Sequence, residues 1–301
     1  MRNWLTTSAA VLGMGLVGQA WSAYGADTKV KKTDSDIVVR AHDILGMNVR
    51  NAKGEKLGDV KDLMVDLSHP ARVRYAALDY DGFLGVGDKL FAVPWEAMKL
   101  RHDAGNDKRI FLELDVDKDS LKKAPGFDKN HWPNFADSHW ADEVHKHYRM
   151  HPENASVDAE VKKAAVTNPN HVDVAMLRRV SKVEGIEVEN GENQKIGKVE
   201  DLVINVNNGT VRYVALSFGG FLGVGEKLFA VPWDAVIFEY RAKDNKDFLV
   251  FDVSKDSLSK APGFDKNHWP NFGDLKWSAE VEKHYKPHID KAAARAKQRR
   301  G

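Results

Sequence analysis

The chain has 301 residues and not one cysteine. That absence removes disulfides, thiolate nucleophiles, Cys-ligated zinc and iron–sulfur clusters together. It also removes the thiol to which a bacterial lipoprotein attaches its lipid. An excess of one charge is lacking too: 45 Lys and Arg stand against 44 Asp and Glu. No overall field therefore draws the chain to nucleic acid or to an anionic membrane, and a general nucleic-acid binder would show a clear basic surplus. Long hydrophobic runs are missing except at the start. There Met1-Arg2-Asn3 gives a short positive end, Ala9 to Val17 an apolar run, and Ala23-Tyr24-Gly25 small residues at the two positions a signal peptidase reads. The stretch Leu5 to Trp21 is 17 residues, at the lower edge for a membrane span, and Thr, Ser, Gly and Gln dilute it. Residues 1–25 are therefore expected to be a cleaved signal peptide rather than a retained anchor, which places the mature chain in the periplasm or outside the cell.

What the chain does have is repetition. Gly82-Phe83-Leu84-Gly85-Val86-Gly87-Asp88-Lys89-Leu90-Phe91-Ala92-Val93-Pro94-Trp95 recurs as Gly220 through Trp233, with Asp88 replaced by Glu226. Ala124-Pro125-Gly126-Phe127-Asp128-Lys129-Asn130-His131-Trp132-Pro133-Asn134-Phe135 recurs unchanged as Ala261 through Phe272. The offset drifts from 139 to 138 to 137 residues along the copy, as two single-residue deletions would produce. A period of this length is too great for a solenoid and describes a duplicated domain.

Each copy alternates short β-type runs with turn residues. The first predicts strands near Met47–Val49, Lys56–Leu67, Val73–Tyr80, Lys89–Val93, Ala97–Leu100 and Ile110–Leu114. Asn51-Ala52-Lys53-Gly54, Asp81-Gly82 and, in the second copy, Asn190-Gly191 are turn signals, the last being the strongest hairpin dipeptide. Pro94 and Pro232 cannot donate to a ladder and should end a strand or lie on an edge. Asp117 to Lys123 has the pattern of a capped helical turn stopped by Ala124-Pro125-Gly126. An aromatic loop and a short amphipathic helix over Ala136–Tyr148 come next, and the second copy repeats this plan. The organisation expected is a first barrel over residues 36–117, an aromatic and helical extension over 118–149, a linker over 150–173, a second barrel over 174–254, its extension over 255–287, and a basic tail over 288–301 that frays for want of an apolar face.

These residues resemble the PRC-barrel domain, named for the cytoplasmic domain of the photosynthetic reaction-centre H subunit and found also in a ribosome-maturation factor. The resemblance is carried by Gly46-Met47-Asn48-Val49, by Gly54 through Leu63, by Arg74-Tyr75 and by Leu90 to Trp95. The second copy carries it as Gly185-Ile186-Glu187-Val188, Lys195 through Leu202, Arg212-Tyr213 and Leu228 to Trp233. It implies a mainly β fold of two small six-stranded barrels and a role in assembly or protein contact, not an enzyme. It does not extend to the H subunit's own function, which needs a membrane span and a reaction-centre partner.

The chemistry-bearing candidates are few. Gly85-Val86-Gly87 and Gly223-Val224-Gly225 invite a phosphate-loop reading, but a β run follows where a helix N-terminus is needed. Asp115, Asp117 and Asp119 have the opening spacing of a calcium loop, yet Ser120 stands where glycine is required and Gly126 where a bidentate Glu belongs. Capping of the next turn explains them better. His139, His145, His147 and His151 crowd the end of the first copy, but on a helix His145 and His147 point about 200° apart. His131/His268 and His147/His284 recur in both copies, and a structural role is favoured over zinc or copper ligation. No serine sits in a nucleophile elbow. No catalytic, cofactor-binding or metal-ligating residue is assigned.

The aromatic extensions are the remaining feature. Phe127, His131, Trp132, Trp140, His147 and Tyr148, with Phe264, His268, Trp269, Trp277, His284 and Tyr285, are the candidates for a latch onto a barrel or a face for a partner. Burying three such aromatics contributes roughly 5–9 kcal/mol, comparable to the net stability of a small domain. The expected function is a non-catalytic, exported protein-interaction or assembly module of the bacterial envelope. A periplasmic metal or small-ligand carrier using the His and Trp extensions is the alternative, and an enzyme the third. The partner expected is another envelope protein, with no nucleic acid. Self-association is open, and the basic end from Arg295 to Arg300 could touch anionic lipid.

Overall fold

The computed structural model describes residues 37–80, 89–103, 106–135, 137–148, 176–218 and 227–300. The signal peptide expected over residues 1–25, the turn expected at Asp81-Gly82, the two glycine motifs, His151 and the linker expected over 150–173 lie outside the described residues. The fold is mainly β, with 44% strand and 26% helix among the described residues.

The first half runs β1 (Val38–Arg40), α1 (Ala41–Ile44), β2 (Asn48–Arg50), β3 (Lys56–Asp66), β4 (Arg72–Tyr80), β5 (Lys89–Pro94), a 3-10 turn (Trp95–Ala97), β6 (Met98–Asp103), β7 (Asn106–Leu114), α2 (Lys118–Lys122), β8 (Gly126–Asp128) and α3 (Ser138–His147). The second half repeats the order with β9 (Leu177–Arg179), α4 (Val180–Val183), β10 (Glu187–Glu189), β11 (Lys195–Asn205), β12 (Val211–Ser217), β13 (Lys227–Pro232), a 3-10 turn (Trp233–Ala235), β14 (Ile237–Arg241), β15 (Lys246–Val250), α5 (Lys255–Lys260), β16 (Gly263–Asp265) and α6 (Leu275–Arg300).

Each half forms an eight-stranded sheet, and in each the eighth strand comes from the other half. The first sheet has the order β6-β7-β2-β3-β4-β5-β8 with β9 added to β3; the second has β14-β15-β10-β11-β12-β13-β16 with β1 added to β11. The reason lies in strand length. β3 has 11 residues, but β2 covers only its Lys56–Asp59 end. The rest of that edge would present unpaired N–H and C=O groups, a template for another strand. β9 fills it, with Met64 opposite Arg179 and Asp66 opposite Leu177. In return Val38 lies opposite Asn205 and Arg40 opposite Val203. The halves meet in the isologous manner of a two-fold dimer, within one chain.

Buried polar groups tie this exchange down. The Asp62 carboxylate accepts from Ser181 Oγ at 2.5 Å and from Ser181 N–H at 3.2 Å. Its equivalent, Asp201, accepts from His42 N–H at 3.3 Å. The Trp95 indole donates across the boundary to Val206 O at 3.1 Å, and that of Trp233 to Ser68 O at 3.4 Å. Backbone bonds add Val73 N–H to Gly209 O at 2.8 Å and Val211 N–H to Ala71 O at 2.9 Å. Gly209 has φ +73°, and a Cβ there would stand 2.7 Å from Trp95 Cδ1. Only glycine suits both its backbone and the indole beside it.

The core strands follow the expected pattern with one instructive departure. In β4, Val73 and Tyr75 are buried and alternate with half-buried Arg72 and Arg74, but Ala76, Ala77 and Leu78 are buried in succession. Alternation stops because this sheet is covered on both faces, Tyr75 lying under the aromatic extension. Pro94 and Pro232 end their strands.

Three expectations are corrected. The second hairpin loop does not turn on Gly191: Asn193 takes the left-handed conformation (φ 60°), as Gly54 does in the first copy. Asn190 and Asn51 instead begin their loops by accepting backbone N–H groups with Oδ1, from Glu192 and Gln194 and from Lys53 and Glu55, as Asx turns do. The basic tail is not frayed; α6 is one helix to Arg300 that carries Pro287 within it. Ile289, Ala292, Arg295 and Ala296 give its last turns a half-buried stripe, completed by the Arg295 stem. Finally, the helix expected over Ala136–Tyr148 is Ser138–His147, because Asp137 caps it by accepting from His139 N–H at 2.9 Å.

Candidate interaction surface

The extensions begin as strands. Phe127 on β8 lies opposite Leu90 of β5, and Phe264 on β16 opposite Leu228 of β13. Asp128 then turns the chain by accepting from Asn130 N–H at 2.6 Å, which, with His131 alongside, holds its carboxyl below the usual range. Asp265 does the same with Asn267 N–H at 2.7 Å. The Trp132 indole donates to Lys129 O at 2.7 Å and that of Trp269 to Lys266 O at 2.8 Å, so both rings are fixed from within the loop.

Ring packing carries the rest. Phe127 meets Trp132 at 4.9 Å between centroids, Phe135 meets Trp140 edge-on at 4.8 Å, and Tyr75 meets Phe135 at 5.7 Å and Trp140 at 5.5 Å. The second module matches it, with Phe264 and Trp269 at 5.0 Å, Phe272 and Trp277 at 5.4 Å, and Tyr213 and Trp277 at 5.5 Å. Each extension thus packs on its own sheet. It also clasps the strand that sheet has received: Arg179 of β9 lies 4.6 Å over Trp132, and Arg40 of β1 lies 4.8 Å over Trp269. Such cation–π contacts contribute roughly 0.5–2 kcal/mol each.

The histidine candidates separate. His131 and His268 project into solvent beside Asp128 and Asp265. His147 is half-buried against Tyr148, ring centroids 5.0 Å apart, and burial lowers its pKa so that the ring is neutral at pH 7. His284 and Tyr285 repeat the pair at 4.9 Å, and burial again lowers the imidazole. Burial pushes the Tyr148 and Tyr285 phenols well up. His145 turns away from His147 and reaches the Tyr75 hydroxyl at 3.4 Å. Among the described residues no group of three His, Asp or Glu side chains is gathered as a metal site. Asp117 caps α2 by accepting from Ser120 N–H at 2.6 Å, and Ser254 caps α5.

Sequence reasoning missed His288. Its Nδ1 lies 3.0 Å from Asp252 O and its Nε2 3.0 Å from Ser257 Oγ. The 137-residue offset that pairs His147 with His284 also pairs His151 with His288, and that recurrence was the available signal. Another missed relation is a reversed ion pair. Arg50–Asp103 in the first module, at 3.5 Å, becomes Glu189–Arg241 in the second, at 2.6 Å. The arginine lies over the same phenylalanine position in both, Arg50 over Phe111 at 4.6 Å and Arg241 over Phe248 at 4.3 Å.

The family model of the PRC-barrel domain matches residues 36–119 and 177–258, more than half of the chain. The chain belongs to the PRC-barrel domain family. No curated protein matches it significantly. The two matched PRC-barrel regions take in β1 to the start of α2 and β9 to the middle of α5. The exchanged strands thus belong to the PRC barrels, whereas β8, α3, β16 and α6, which carry the aromatic clusters, are additions to them. PRC-barrel domains are in general non-catalytic.

Proposed function

We propose that this tandem PRC-barrel protein is a non-catalytic interaction and assembly module of the bacterial cell envelope, exported by residues 1–25. The observation that carries the reading is where the buried polar chemistry goes. Asp62, Asp201, Trp95 and Trp233 direct their side-chain hydrogen bonds to the joint between the modules or to their own strand. They build a stiff double body rather than a reacting centre. A rigid scaffold with added aromatic extensions suits holding a partner, since Trp and Tyr are favoured at binding surfaces. The partner class is another envelope protein; a balanced charge disfavours nucleic acid, and the basic end of α6 offers a weak contact to anionic lipid.

The test combines fractionation with site-specific photo-crosslinking. A photo-reactive residue is placed at exposed His139 or Glu143 on α3, and at exposed Lys99 on β6 as the control. The reading predicts mature protein in the periplasmic fraction and one discrete adduct from the α3 positions but not from Lys99. Cytoplasmic full-length protein, or equal adducts from all three positions, would overturn it.

A further inference from the structure

The two sheets hold their exchanged strands by the same ring contact but not by the same charges. On the second sheet Arg40 of β1 lies over Trp269, and Asp43 of α1 grips its guanidinium as well. Arg40 Nε donates to Asp43 Oδ2 at 2.8 Å, and a terminal N–H of Arg40 donates to Oδ1. At the 139-residue offset Arg179 of β9 takes the place of Arg40, and Lys182 of α4 the place of Asp43. Arg179 keeps the ring, lying 4.6 Å over Trp132 of the first sheet. It has lost the carboxylate and gained a second cation three residues on, a spacing at which like charges repel.

The acids around this place are engaged elsewhere or do not reach it. Asp62 of β3 accepts from Leu63 and Ser181. Asp66, opposite Leu177, accepts from Ser68 N–H at 3.0 Å. Asp128, in the Trp132 loop, is taken by Asn130 N–H and His131. Glu184 replaces Leu45 and is exposed, yet it forms no ion pair with either cation. Among the described residues neither Arg179 nor Lys182 has a side-chain hydrogen bond or an ion pair. The difference between the sheets is therefore one of reach and not of net charge. A half-buried guanidinium keeps its N–H donors unanswered beside an exposed ammonium. Such a group matches a carboxylate with two parallel N–H bonds, as Arg40 does. Stacking on Trp132 already fixes the plane of the fork, so less freedom is lost when a carboxylate arrives.

We propose that Arg179 and Lys182 form a docking site for a carboxylate side chain of a partner protein, which takes the part that Asp43 plays on the second sheet. The source of that carboxylate rests on the interaction reading. A titration of the purified chain can nevertheless fail where crosslinking succeeds, and the reverse.

The full chain is titrated at low salt with N-acetyl-tetraglutamate amide, following the indole N–H signals of Trp132 and Trp269 by NMR. Trp132→Phe and Trp269→Phe assign them. A saturable shift at Trp132 and none at Trp269 is expected. Lys182→Asp copies the second sheet at an exposed position and should weaken binding about fivefold or more, one exposed ion pair being worth up to about fivefold. The converse variant, Asp43→Lys, should gain a site that reports at Trp269. Equal shifts with N-acetyl-tetraglutamine amide, or inorganic phosphate bound as tightly as the acidic peptide, would overturn the proposal. So would an unchanged affinity in Lys182→Asp, a silent Trp269 in Asp43→Lys, or no saturable shift at Trp132.

Discussion

Asp201 gives the joint between the modules a pH dependence of unusual sign. Its side chain is 8% exposed. The carboxylate accepts N–H groups from Leu202 at 2.8 Å and from His42 at 3.3 Å. Loss of hydration outweighs those bonds and the pull of Arg40 and His42, and its pKa is raised to about 6. In the unfolded chain an aspartate titrates near 3.9, so the native state holds this proton more tightly. The stability from this group is fully present below about pH 4, is lost as pH rises towards about 6, and is constant above that. Two pKa units at about 1.4 kcal/mol each amount to about 3 kcal/mol. Asp201→Asn keeps an oxygen to accept the same N–H groups but cannot ionise. Urea unfolding of both proteins at pH 4, 5, 6 and 7 measures the effect. The stability of the variant relative to the parent should rise by about 2 kcal/mol from pH 4 to pH 7, since the unfolded carboxyl is already half ionised at pH 4. Carboxylates such as Asp128, Asp265 and Glu187, whose lowered pKa values lose stability in acid, cancel in that difference. A constant offset across the range, or a relative loss as pH rises, would refute the reasoning.

Other perturbations address the same joint and the extensions. Ser181→Ala removes the hydroxyl bond to buried Asp62 and should cost about 1–3 kcal/mol in urea unfolding; no loss would mean that the bond is not formed in solution. Gly209→Ala forces a left-handed alanine against Trp95 and should cost more than about 1 kcal/mol, with a changed Trp95 fluorescence seen against a Trp95→Phe reference. Arg50→Glu alone should destabilise, by about 0.5–1 kcal/mol at this half-exposed site. Adding Asp103→Arg, which recreates the Glu189–Arg241 arrangement, should restore the loss in the same unfolding assay. Phe135→Ala empties the centre of the first aromatic cluster and should cost about 3–5 kcal/mol, read as a lower Tm; an unchanged melting curve would show that the extension does not hold its sheet.

The central strands were legible because their residues alone decide them. β3 to β5 and β11 to β13 are rich in Val, Leu, Ile and aromatic residues, and Pro94 and Pro232 mark the ends of β5 and β13. β1 and β9 were not legible. Val38-Val39-Arg40 and Leu177-Arg178-Arg179 are half-buried throughout, so no alternation marks them. They are strands because β11 and β3 each leave an edge open, and that fact belongs to another part of the chain. The end of α6 was misjudged for a related reason: three of the four residues in its half-buried stripe are Arg295 and two alanines, residues that composition counts as solvent-facing or neutral.

The candidate site divides the same way. Phe127, Trp132 and Trp140 were recognisable from sheer aromatic surface, and with Phe135 they come together on Tyr75. The second module does likewise with Phe264, Trp269 and Trp277. Recurrence in both copies marked His131 and His268 equally with His147 and His284, yet the first pair faces solvent and the second is half-buried beside Tyr148 and Tyr285. Recurrence reports the duplication and not the surroundings.

The central claim is that the two PRC barrels are one body joined by mutual strand exchange. A protease site placed in residues 150–173 and cut in the purified native protein tests it most directly. The account predicts that the two pieces stay together on gel filtration and melt in a single transition, because β1 and β9 still complete each other's sheets. Two separately folded pieces that part after cleavage without denaturant would contradict it.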